Sequence, residues 1–217
     1  MIALRNWSSF ENETFPLYKQ MVPTNKIICK ISKETQPRIN MKPIKISVFH
    51  CILFLYAITP FPASSAEIGL GYGKEFRNNN NLVQYEIYVR EPMPFKWEFD
   101  NNFKILSAVE MGMAMIREAD STNNDAARIS VMPEMILSPN SHVNFIFGIG
   151  TGFMLGNTAF TNHDLGGAML FYSKIGLQFK IGMHYNFGYF YFHQSNAGIY
   201  DCNPGLNMHQ LALSYTF

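Results

Sequence analysis

The sequence predicts an all-β protein, an eight-stranded antiparallel transmembrane β-barrel preceded by a signal peptide. Three observations carry that expectation. From Glu67 onward, apolar side chains alternate with small or polar ones at a period of two. The alternation comes in eight runs separated by residues that favour turns. Within the runs, large aromatics sit on one face and glycine or polar residues on the other. The composition agrees. Of 217 residues, 47% are apolar and 15% aromatic, with 19 Phe, 11 Tyr and 13 Met, and only 15% are charged, well below the usual quarter. A disordered chain needs more charge and fewer aromatics. No apolar run is long enough for a bundle of membrane helices.

The first third stands apart from this pattern. Residues 1–40 are mixed and polar, without clear periodicity, and read as a mis-called or disordered N-terminal extension, with translation starting at Met41. Residues 41–66 have the three parts of a signal peptide. Lys42 and Lys45 form a basic start, Ile46 to Phe61 an apolar run, and Ser64 and Ala66 the small residues before a cut. The expected mature domain is 67–217. It holds nine Lys/Arg against thirteen Asp/Glu, an acidic balance that gives no case for nucleic-acid binding. Cys29 and Cys51 fall in the leader, which leaves Cys202 alone, so neither an internal disulfide nor a cysteine metal cluster is expected.

The expected strands are 67–76, 81–91, 102–117, 126–138, 142–155, 168–181, 185–195 and 206–217. The fifth shows the logic: Val143, Phe145, Phe147, Ile149 and Phe153 alternate with Asn144, Gly148, Gly150 and Gly152. The sixth alternates Met169, Phe171, Ile175, Leu177 and Phe179 with Tyr172, Lys174, Gln178 and Lys180. The third contains Met111, Met113 and Met115, helix formers by propensity, but their two-residue spacing says strand. Breaks fall at Asn78 to Asn81, Asn123-Asn124-Asp125, Pro139-Asn140-Ser141 and Asn203-Pro204-Gly205, all rich in turn formers.

A sandwich buries its apolar face, whereas a membrane barrel turns that face to lipid and fills its interior with small and polar groups. Runs of ten to fourteen residues suit tilted membrane strands, and the glycine-rich face suits a narrow interior. The end of the chain, Leu211-Ala212-Leu213-Ser214-Tyr215-Thr216-Phe217, resembles the C-terminal signature of bacterial outer-membrane barrels. Eight strands leave an interior just filled by side chains. With both termini periplasmic, the seventh strand ends, and the eighth begins, at the outer surface.

That junction carries the candidate chemistry. On the seventh strand, Phe187, Tyr189, Tyr191, His193 and Ser195 share the lipid face, and on the eighth Asn207 does. Serine is a weak nucleophile until a base takes its proton, which His does near neutral pH. The base needs a partner that fixes its tautomer, a role open to Asn207. Asn196 and the backbone of Gly198 are the candidate oxyanion donors. Phe187, Tyr189 and Tyr191 would line an acyl groove or, equally, form an ordinary interface belt. His209 shares the face and reads as interfacial. No metal or cofactor is called for.

The run His193-x-Ser195-Asn196-Ala197-Gly198, followed by Asn203-x-Gly205-x-Asn207, resembles the signature of the lipid A 3-O-deacylases (PagL), eight-stranded outer-membrane barrels. The resemblance implies Ser195 as nucleophile, His193 as general base and Asn196 as oxyanion donor. It implies a serine esterase of the outer membrane that removes the 3-hydroxyacyl chain at position 3 of lipid A, the lipid of outer-leaflet lipopolysaccharide. The family's third member is often Glu. Asn207 departs from it and carries no charge to stabilise imidazolium, with Asp201 of the same connection a weaker candidate. The alternative is a non-enzymatic structural or adhesion barrel. A homodimer is left open.

Overall fold

A sheet with bulky apolar groups on one face and small polar groups on the other has to hide the polar face from hydrocarbon and leave no edge unpaired. Closing into a cylinder does both. The computed structural model describes residues 66–76, 81–119, 125–156, 158–160, 163–200 and 203–217. The extension 1–40 and the signal peptide, apart from Ala66, lie outside the described residues, as does Asp201. Eight strands follow in chain order: β1 (Glu67–Glu75), β2 (Leu82–Glu98), β3 (Lys104–Glu118), β4 (Asp125–Ser138), β5 (Val143–Gly156), β6 (Met169–Ile181), β7 (Tyr185–Ser195) and β8 (Leu206–Thr216). Each pairs antiparallel with its neighbours, and β1 pairs with β8 to close the barrel.

The register is strongly staggered. From Ile68 at the start of β1, the row of partners climbs through Val89, Met111, Val131, Thr151 and Phe171 to Ser195 at the end of β7. Across the closing seam Ile68 instead faces Tyr215, near the end of β8. Such a stagger tilts the strands by about 35–45° to the barrel axis. One end carries the tight turns 99–103, 139–142 and 182–184, and the other the longer connections, among them 157–168 and 196–205. Outer-membrane barrels keep their short turns periplasmic and their longer loops external.

Strand β2 runs to Glu98, beyond the end expected at 91. Pro92 and Pro94 lie in this extra stretch, and proline has no N–H for the ladder. The strand passes them by a bulge, with the register to β3 shifting between Pro92 and Lys96 and Ser107 Oγ donating to Phe95 O at 2.8 Å. Met111 and Met113 of β3 lie half-buried, and Met115 exposed, on the outer face, so spacing outweighs helical propensity there.

The exterior is apolar: Leu70, Ile129, Phe145, Ile149, Phe153, Ile175 and Leu213 are all exposed. The interior is charged. Arg90 bonds to Glu67 at 2.6 Å, Glu110 at 2.9 Å and Glu134. Lys174 joins Glu110 and Glu134. Above them Arg128 bonds to Glu86 at 2.6 Å, Gln84 at 2.8 Å and Gln194 at 3.0 Å. Its guanidinium also lies 4.7 Å from the rings of both Tyr172 and Phe192. Gly69 leaves the space that the Tyr88 ring fills; a side chain at 69 would collide with it. Phe160 and Leu165, from the connection after β5, close the upper end over Leu82, Ile116, Leu206 and Met208. The interior is a packed core of ion pairs under an apolar cap. Water solvates the reverse arrangement, so this molecule belongs in lipid.

Candidate active site

Strand alternation sends odd-numbered residues of β7 and β8 outward, so His193, Ser195 and Asn207 share the exterior near the upper rim. The β7–β8 register sets His193 directly opposite Asn207. Their side chains meet, His193 Nδ1 lying 2.8 Å from Asn207 Oδ1. An amide oxygen only accepts, so this contact places the proton on Nδ1 and leaves the Nε2 lone pair open. That is the tautomer a general base needs. Asn207 is buried, while His193 and Ser195 are half-buried and open to the outside.

Ser195 follows His193 by two residues on the same face. Among the described residues, its Oγ makes no hydrogen bond to His193. Nucleophile–base bonds are often long in ligand-free sites and tighten on substrate. The imidazole edge bearing Cε1 and Nε2 lies over Gly205, where an added Cβ would come within 3.0 Å of Cε1 and 3.8 Å of Nε2. Gly205 also has φ +64, in the left-handed region that glycine enters without penalty. This position thus holds both the turn and the ring, a role invisible in the chain except as a glycine two residues before Asn207.

Asn196 and Gly198 are bonded within the rim itself. Asn196 is fully buried, and its side chain builds the 196–205 connection. Its Oδ1 accepts from Gly198 N at 2.9 Å, and its Nδ2 donates to Leu165 O at 2.9 Å. Its own N–H donates to Asn203 Oδ1 at 3.0 Å. Both N–H groups nominated as oxyanion donors are thus already engaged. The even-numbered position explains the inward turn of the Asn196 side chain, since alternation continues one residue past β7.

Phe187, Tyr189 and Tyr191 line the outer face of β7 below His193. Two of them are polar partners as well as apolar surface. Tyr191 Oη donates to Asn207 Oδ1 at 2.6 Å, and Tyr189 Oη lies 2.7 Å from His209 Nδ1. His209 stacks on Tyr189, with ring centroids 5.7 Å apart and planes 12° from parallel, and sits 4.3 Å from the Phe76 ring. The residue read as merely interfacial therefore belongs to a continuous patch, Phe76–His209–Tyr189–Tyr191–Asn207–His193. Register alone assembles it, because Tyr191 faces His209 and His193 faces Asn207. Among the described residues, no group of His, Cys, Asp and Glu gathers in a way that could hold a metal ion.

Comparison with known proteins points one way. The family model for lipid A 3-O-deacylases (PagL) matches residues 83–216, more than half of the chain and all of β7, the 196–205 connection and β8. A curated relative named lipid A deacylase PagL, from Bordetella bronchiseptica, is 40% identical over 70 residues, or 32% of this chain. The chain spans about two fifths (39%) of that relative's length. The crystal structure described as that of the outer membrane enzyme PagL superposes with a TM-score of 0.58 at 16% identity, covering 68% of this chain and 97% of that one. At that identity the likeness speaks for the fold.

Proposed function

The chain belongs to the lipid A 3-O-deacylase (PagL) family, and from that membership we propose that it is an outer-membrane esterase acting on lipid A. The carrying observation is the His193–Asn207 bond on the lipid-facing side of the barrel, with Ser195 beside it at the upper rim. A catalytic group on this face meets no soluble metabolite. It meets the ester bonds of outer-leaflet lipid, and in the outer membrane that lipid is lipopolysaccharide.

In the proposed reaction, Ser195 Oγ attacks the carbonyl carbon of the acyl chain at position 3 as His193 Nε2 takes the hydroxyl proton. A tetrahedral oxyanion forms. It collapses with cleavage of the bond between the carbonyl carbon and the sugar oxygen, and His193 Nε2 returns its proton to that oxygen. Water then attacks the acyl-enzyme, losing a proton to Nε2. The Oγ–acyl bond breaks, Oγ regains the proton, and a 3-hydroxy fatty acid leaves. Asn207 Oδ1 holds the Nδ1 proton throughout. As a neutral amide it orients the ring but adds no charge to balance imidazolium, which predicts a slower enzyme than a carboxylate at 207 would give.

To serve as oxyanion donor, either of these two N–H groups would have to exchange a bond. Substrate would draw the Gly198 N–H from Asn196 Oδ1, or the Asn196 N–H from Asn203 Oδ1. The outer aromatics Phe187, Tyr189 and Tyr191 are proposed to flank the acyl chain. The apolar exterior is what lipid contact asks of a single barrel, so it gives no ground for a dimer.

Mass spectrometry of lipid A from cells expressing the chain tests this. The expected result is loss of one 3-hydroxyacyl group, abolished by Ser195→Ala and by His193→Ala in proteins that still show heat-modifiable gel mobility. An unchanged spectrum with folded wild-type protein in the outer membrane would instead support a non-enzymatic barrel.

A further inference from the structure

An asparagine in place of a carboxylate beside a catalytic histidine raises a problem of orientation as well as of charge. A carboxylate offers an acceptor whichever way it turns. An amide turned by 180° offers Nδ2–H instead. Facing His193 that way, it would leave Nδ1 without its proton and put the proton on Nε2. In that tautomer Nε2 has no lone pair for the Ser195 proton. Asn207 therefore serves the base only while its oxygen faces the ring.

We propose that Tyr191 is a positioning residue that holds Asn207 in that orientation. Its hydroxyl donates to Asn207 Oδ1 at 2.6 Å, while His193 Nδ1 lies 2.8 Å from the same oxygen. Oδ1 has two lone pairs, and these two donors take both. The ladder explains why Tyr191 reaches it. His193 stands directly opposite Asn207, and Tyr191, one step down the same face, is its diagonal neighbour. The Tyr191 ring lies 6.2 Å from His209 and 5.8 Å from Phe76, edge-on to both, so the ring that carries the hydroxyl is itself packed. In this arrangement a tyrosine and an asparagine together orient the imidazole, and Tyr191 acts through Asn207 without touching the reacting atoms. The inference rests on the esterase reading above.

The test is a double-mutant comparison of lipid A deacylation by the full-length protein refolded in detergent. With Asn at 207, Tyr191→Phe is expected to lower kcat by about three- to tenfold, the worth of one neutral hydrogen bond. KM should change less than twofold, because the ring remains. With Asn207→Asp, which preserves size and has no wrong face, the same Tyr191→Phe change should cost less than twofold. Equal losses in the two backgrounds, or a loss confined to KM, would overturn the inference and leave the esterase reading intact. A wild-type protein that folds yet removes no acyl chain, like Ser195→Ala, would overturn both.

Discussion

Gly205 shows how much a single residue decides in the site. Alanine there would have to hold a φ near +64 and bring its Cβ within 3.0 Å of the His193 ring. The backbone cost alone is about 1 kcal/mol or more. The larger effect is expected on chemistry, since the atom displaced lies at the edge of the imidazole that bears Nε2. Gly205→Ala should leave the barrel heat-modifiable while reducing deacylation several-fold. A variant of unchanged rate would show that the ring yields without moving its base. Ala197 makes the complementary case. It is a non-glycine residue at φ +52, next to Gly198 at φ +80, in a turn closed by the bond from Gly198 N to Asn196 Oδ1 and tied to Leu165 O through Asn196 Nδ2.

At the scale of elements, the two connections at the upper rim support each other. Phe160 and Leu165 pack into the mouth of the barrel, and Asn196 Nδ2 ties the 196–205 connection to Leu165. His163 lies buried in the same cap, 3.9 Å from Glu75 Oε1. Burial pushes its imidazole below the ordinary histidine value, outweighing the opposing pull of the Gly205 backbone and the Asp164 charge. The sign follows. The folded cap disfavours the proton, so the stability it contributes is full above the unfolded value of about 6.5 and is lost as pH falls below that toward the lowered folded one. Measured against the intrinsic exchange rate at each pH, amide protection at 158–160 and 163–165 is expected to fall from pH 7.5 to 5.5, and His163→Gln should flatten the difference. A cap equally protected at both values would refute the linkage.

For the molecule as a whole, the interior ion pairs take the place that an apolar core holds in a water-soluble domain. Arg90 alone answers three carboxylates, Glu67, Glu110 and Glu134, with Lys174 reaching two of them. Each charge is acceptable there only because its partners are present. Arg90→Ala strands buried carboxylates and is expected to cost at least about 3 kcal/mol. That loss would appear as a lower urea midpoint for loss of the heat-modifiable form. A midpoint within error of the wild type would mean that water or Lys174 replaces the guanidinium. Far from the rim, the same change should leave the His193–Asn207 geometry intact in whatever fraction stays folded.

Strand count, the limits of seven strands to within a few residues, and the outward face of β5 to β8 were legible in the chain, because period-two alternation is a local property that lipid enforces along a membrane strand. The one strand misjudged, β2, continues past Pro92 and Pro94 through a bulge, a device of pairing that leaves no local mark. The outward placement of His193, Ser195 and Asn207 was equally local. What the chain did not contain was register and the packing of connections. Register brought Tyr191 onto the asparagine oxygen and His209 against Tyr189 and Phe76, and the folding of the rim turned Asn196 inward to bond Leu165. Those contacts join residues on different strands and loops, and only closure of the sheet brings them within reach of one another.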